Sequence, residues 1–147
     1  MSLRQSGTSL DVLLAALDAF EDGRAQRAVA GALAREGQQL VHRGFEESRA
    51  PSGAKWAPIK RPRGRAPLRK TGTLEGAALV YTFSADGFVF GAVDRLTAYG
   101  HYHQSEEPRT RLPRRPFFPN SDGQLPTGWS IVLAEGADEA LAKLLPR

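Results

Sequence analysis

Between Arg49 and Pro67 the chain carries four prolines, at positions 51, 58, 62 and 67, and glycines at 53 and 64. Proline fixes φ, removes a backbone donor and pushes the residue before it out of the helical region. No helix or central strand can run through this stretch, so the chain divides into a part before it and a part after it. The same stretch is one-sided in charge. Lys55, Lys60, Arg61, Arg63, Arg65, Arg69 and Lys70 fall between Arg49 and Lys70 with no acidic residue among them. A loop this long is either a solvated connector or a functional segment. As a functional segment it would meet a nucleic-acid backbone or an acidic face of a partner protein. Trp56 points to a packed or interfacial place within it.

The part before the loop reads as helical. Ser9 is an N-cap candidate, and Leu10, Leu13, Leu14, Leu17 and Phe20 recur at helical spacing. Glu21-Asp22-Gly23 predicts a break, with Gly free to take the left-handed conformation. A longer helix is predicted from Arg24 to about Ser48, with Val29, Leu33, Leu40, Val41 and Phe45 as its larger apolar residues. Gly31, Gly37 and Gly44 lie inside it, each costing up to about 1 kcal/mol against Ala. They either loosen the helix or admit another backbone, and we read them as sites of close packing against a sheet or a neighbouring subunit.

Beyond the loop, Leu74 to Phe83 is rich in Leu, Val, Tyr and Phe and predicts a strand. Ser84-Ala85-Asp86-Gly87 predicts a hairpin turn with Asp-Gly as its central pair, and Phe88 to Val93 the returning strand. A second basic, proline-bearing loop follows, with Arg109, Arg111, Arg114 and Arg115; Pro113 and Pro116 exclude a helix there. Trp129 to Leu133 is either a strand or the first turns of a helix, and Ala137 to Leu145 predicts a C-terminal helix. The expected fold is α+β, with N-terminal helices packed on a small antiparallel sheet and long Pro/Arg-rich loops. At 147 residues one domain is expected, with residues 1–8 as a loose N-terminus, 49–67 as an extended basic loop and 105–120 as a second basic loop.

Composition narrows the chemistry. The chain has no cysteine, so disulfides, thiol nucleophiles and cysteine-held metals are excluded. No run of about eighteen apolar residues occurs, so no transmembrane helix is expected, and no secretory signal pattern opens the chain. A net charge of +4 and a pI near 9.8 favour an anionic neighbour. His101 and His103 would share one side of a strand and could share an ion. No spacing supplies a third ligand among His42, Asp94 and Glu106, so no metal site is expected. Neither a nucleophile elbow nor a phosphate-binding glycine loop is present. The chain reads as non-enzymatic, without cofactor or small-molecule substrate.

Several short pieces occur in order. They are Pro51-Ser52-Gly53 with Trp56-Ala57-Pro58, then Leu68-Arg69-Lys70-Thr71-Gly72-Thr73-Leu74, then Tyr99 with His103-Gln104, then Arg115-Pro116-Phe117. From about Phe45 to Phe118 this succession resembles the tail-completion, or virion morphogenesis, proteins of Mu-like and P2-like tailed phages. Where that family has His-Gln-x-Gly, this chain continues Ser105-Glu106-Glu107. The resemblance implies a small α+β subunit in the virion neck or tail, assembled in the bacterial host cytoplasm. There it would complete the tail or join it to the head, working as a homo-oligomeric ring, with a hexamer favoured, among other neck and tail proteins. A phage-derived particle would use such a part in the same way.

In that setting Thr71-Gly72 is expected to form the turn that opens the hairpin, with Leu68 and Leu74 flanking it. Tyr99, His103 and Gln104 are expected to tie the returning chain to that turn by hydrogen bonds, or else simply to pack and cap within the fold. Trp56, Arg115, Phe117 and Phe118, with Pro116 between them, are expected at a subunit or partner interface, or else as internal loop anchors. Lys60, Arg61, Arg63, Arg65, Arg109 and Arg111 are the candidates for non-specific DNA-backbone contact. The alternative reading is a stand-alone basic nucleic-acid-binding domain using Arg61 to Lys70 and Arg109 to Arg115.

Overall fold

In a computed structural model of the chain, residues 10–60, 67–68, 73–92, 97–107, 111–120 and 124–145 are described. Five helices and one hairpin occur among them, in the order α1 (Leu10–Glu21), α2 (Arg24–Glu47), α3 (Thr73–Ala77), β1 (Ala78–Ser84), β2 (Gly87–Ala92), α4 (Thr97–Gln104) and α5 (Thr127–Leu144). The fold is α+β, as expected. No described helix is long and apolar enough to cross a membrane.

Helix α2 is the spine. Its buried residues, Ala25, Ala30, Gly31, Ala34, Gly37, Leu40, Val41 and Phe45, recur at helical spacing. The small ones lie in the first two thirds, and there the hairpin comes close. A Cβ added at Gly31 would sit 3.1 Å from the Phe83 ring of β1. Glycine at this position therefore serves close packing against the sheet. Arg27, one turn earlier, lies over the same ring at 5.8 Å. The C-terminal third of α2 carries the large residues of the core, which α5 completes with Trp129 and Leu133, one turn apart.

The α1–α2 break falls where the sequence predicts it. Gly23 takes φ 81°, the left-handed region open to glycine. The Asp22 carboxylate accepts from the Arg24 N–H at 3.0 Å and from Arg24 Nε at 2.6 Å. The hydrogen bond from the Arg24 backbone N–H, chiefly, and the guanidinium beside it hold the Asp22 carboxyl below its ordinary range. Helix α1 itself is mostly exposed, with Leu13, Leu14 and Leu17 at 47%, 49% and 55%. Only α2, of the two N-terminal helices, backs the sheet extensively.

The hairpin differs from its sequence reading in two ways. Residues Thr73–Ala77 are helical, not the start of a strand; Leu74 is the only large apolar residue there, and the β-formers begin at Leu79. Ser84 pairs with Gly87, so Ala85 and Asp86 are the turn residues, and Gly87 takes φ 139° at the head of β2. The register shifts by one between Val80 and Thr82, a bulge at Tyr81 that bends the strand. Downstream, Trp129 to Leu133 belongs to one continuous helix with the C-terminal segment.

Candidate functional site

The short pieces of sequence that stand far apart in the chain meet in one place. The meeting begins at the end of α2, where Ser48 takes the left-handed conformation with φ 54° and the chain doubles back. Ala50 N donates to Ala54 O at 2.9 Å, and Gly53 N to Ala50 O at 2.8 Å with Gly53 at φ 87°. Arg49 and Lys55 pair as an isolated bridge, and Trp56 N reaches Ser48 O at 2.8 Å. The first third of the basic loop is thus a tight return, not an extended segment. Pro51-Ser52-Gly53 forms its tip and delivers Trp56 onto Phe45.

Three aromatic rings then stack against one another. Phe45 meets Trp56 edge-on, with centroids 5.4 Å apart, and lies 5.5 Å from Phe117. Aromatic pairs of this kind contribute about 0.5–1.5 kcal/mol each beyond the area they bury. The Trp56 indole N–H donates to Pro116 O at 2.8 Å. Arg115 returns the contact: its Nε donates to Ala57 O at 2.9 Å and its Nη2 to Pro58 O at 3.1 Å. Trp-x-Pro and Arg-Pro-Phe, 60 residues apart, are therefore two halves of one hydrogen-bonded lock.

Gln104 is the second fastening. Its Oε1 accepts from both Phe117 N and Phe118 N at 3.1 Å, while its Nε2 donates to Phe118 O at 2.7 Å and Pro119 O at 3.3 Å. The side-chain amide gives and accepts along the Phe117–Pro119 backbone as a strand neighbour would. Arg114 closes the arrangement from the other side. Its Nε and Nη2 donate to the Gln104 main-chain carbonyl at 3.2 and 2.8 Å, and Nη2 also reaches Asn120 Oδ1 at 2.8 Å. The last carbonyls of a helix lack intrahelical partners, and a guanidinium satisfies that of Gln104 at the end of α4.

Trp56, Arg115 and Phe117 are 6%, 5% and 2% exposed within the single chain. Their side chains face inward, so the interface expectation for these three gives way to an anchoring one. Phe118 and Pro116 are half-buried beside them. Gln104 ties the second loop; Thr71 and Gly72, the turn it is also expected to tie, lie outside the described residues. Leu74 is in the core, and Leu68 packs against it with φ 61°, an uncommon angle for a leucine. Tyr99 lies on α4, its side chain outside the described set. His103 is buried at 1% exposure whereas His101 is exposed, because two positions along a helix point to nearly opposite sides. The pair cannot share an ion. Among the described residues no group of three His, Asp or Glu side chains gathers. Of the basic candidates Lys60 and Arg111 are exposed; Arg61, Arg63, Arg65 and Arg109 lie outside the described residues.

The fastened loop leaves an open cleft of about 640 Å³ whose lining includes the apolar Phe88, Phe118 and Leu125 and the polar His101, Glu106 and Arg114. A smaller hollow of about 280 Å³, reaching Ala50 and Pro51, shares Arg114, Phe118 and Leu125 with it. Arg114, one of the basic residues of the second loop, serves here to hold the end of α4, a role its sequence neighbourhood signals only by Pro113 before it and a helix end ten residues upstream. Comparison of the chain with known protein families, characterised proteins and solved structures finds no match.

Proposed function

We propose that this protein is a non-enzymatic structural component of a tailed phage or a phage-derived particle, completing the tail or joining it to the head at the neck. One observation carries the reading. Three of the pieces on which the resemblance to tail-completion proteins rests, Trp56-Ala57-Pro58, Gln104 and Arg115-Pro116-Phe117, converge on one lock. Pieces matched by chance would have no reason to meet across 60 residues. Their meeting supports a shared construction, in which a helical spine holds two basic, proline-bearing loops in place. Loops held by their roots suit a subunit whose neighbours are other virion proteins in a ring.

The test is removal of the coding sequence from the phage or prophage that carries it, with the particles examined by electron microscopy. Filled heads without joined tails, or tails of irregular end, restored by the gene in trans, are the expected result. Normal joined particles overturn the proposal. A salt-titrated DNA-binding measurement belongs beside it. Duplex affinity from a monomer, steep in salt and lost in Lys60→Ala/Arg111→Ala, would move the function to a nucleic-acid-binding domain.

A further inference from the structure

Helix α1 carries an exposed apolar stripe. Leu13, Leu14 and Leu17 fall within one face of the helix and are half exposed each. Asp11 and Asp18 flank that face, Glu21 follows, and residues 10–22 contain no Lys, Arg or His. The asymmetry extends to the whole chain. Residues 1–22 hold one arginine against four carboxylates, a formal −3, while residues 23–147 hold nineteen cations against twelve carboxylates, a formal +7. An acidic, apolar helix on an otherwise basic protein is complementary to the body of another copy. It is not complementary to another α1, because like charges would face each other with no cation between them.

We infer that α1 of one copy docks on a second copy of this chain, in the cleft over Phe118 and Leu125 beside Arg114. Phe88, Phe118 and Leu125 give the cleft apolar lining, and Leu125 is 46% exposed. Glu106, also in the lining, lies 3.8 Å from Arg114, so the excess positive charge beside the cleft comes from Arg111, exposed on the loop that carries Arg114. A helix laid by its apolar face into a groove is a recurring mode of recognition. The contact is heterologous: each copy offers a helix and a cleft, and repetition closes a ring or extends a filament. This deepens the assembly reading only in naming what would join its ring; the docking itself concerns the free protein.

Light scattering on the full-length protein, across concentration and salt, tests it. The wild type is expected to give a multiple of its monomer mass that falls as salt rises. Leu14→Glu/Leu17→Glu is expected to weaken association by roughly a hundredfold with circular dichroism unchanged, since these side chains lie outside the core. Leu125→Glu, on the receiving side, is expected to be monomeric too. Mixing the two variants restores one intact helix facing one intact cleft, and so yields a dimer and nothing larger. A wild type that stays monomeric, a Leu125→Glu that associates normally, or a mixture that forms no dimer overturns the inference. The two readings separate cleanly. A self-associating protein whose gene is dispensable for particles sinks the virion proposal alone, and a monomer whose gene is needed sinks this one alone.

Discussion

Replacing Gln104 tests whether hydrogen bonding or packing holds the second loop. The side chain makes three short bonds to the main chain of Phe117 and Phe118 and a longer one to Pro119. At about 1 kcal/mol net for each short bond, Gln104→Ala removes roughly 3 kcal/mol. Water entering from the open cleft can satisfy some of the freed groups and lowers the figure towards about 2. Gln104→Met separates the two explanations. Methionine nearly restores the lost volume but offers no polar atom to the loop and keeps water away from Phe117 N and Phe118 N. If hydrogen bonds hold the loop, Met costs as much as Ala or more, about 3–4 kcal/mol. If packing holds it, Met costs clearly less than Ala. Equilibrium unfolding in urea reads both, because Trp56 and Trp129 are buried and report through fluorescence. A Met variant within about 0.5 kcal/mol of wild type would refute the reasoning.

Trp56→Phe removes the donor to Pro116 O but keeps most of the ring contact with Phe45. It should cost about 1–2 kcal/mol in the same assay, against about 3–5 for Trp56→Ala. Gly44→Ala and Gly128→Ala should differ in sign. At Gly44 a Cβ meets the Arg49 carbonyl at 3.0 Å, which outweighs the helix gain, whereas at Gly128 it meets nothing within 4 Å. Urea midpoints should fall for the first and rise for the second, the rise being up to about 1 kcal/mol. For Asp22, whose carboxyl is held low when folded, the linkage runs in one direction. Its contribution is present above the unfolded pKa and is lost as pH falls through the folded one. Carboxyl NMR should show Asp22 titrating below the ordinary aspartate range, and Arg24→Ala should raise it only part of the way, because the backbone N–H that chiefly holds it low remains.

The helices with a clear apolar period were legible. So was the hairpin, because Asp86-Gly87 stands between two runs of Val and Phe. What was not legible had weak local signals overridden from a distance. Thr97–Gln104 contains Gly100 and four residues of Tyr and His, poor helix formers with no apolar stripe, so the sequence reads there as a strand through the histidines. Trp129 to Leu133 is an apolar run too short to tell helix from strand by period alone. The site shows the same division. Trp56, Gln104, Arg115 and Phe117 could be singled out, but not the acceptors they need. Those are the carbonyls of Ala57, Pro58, Pro116 and Phe118, and a main-chain oxygen has no letter in a sequence.

The lock between residues 56–58 and 115–116 has a consequence for chain continuity. Trp56 is held to Pro116, and Arg115 to Ala57 and Pro58, so the stretch before the 61–66 segment is fastened without help from the residues that follow it. Beyond that segment, Leu68 and Leu74 are fastened in turn by the core. The covalent link between Lys60 and Pro67 therefore adds little to what the folded protein already holds together. Trypsin cutting after Arg63 or Arg65 should leave two peptides that travel as one particle, and the two expressed separately should find each other. The loop that divides the sequence thus also joins its two halves, through the lock its own residues 56–58 make with residues 115 and 116.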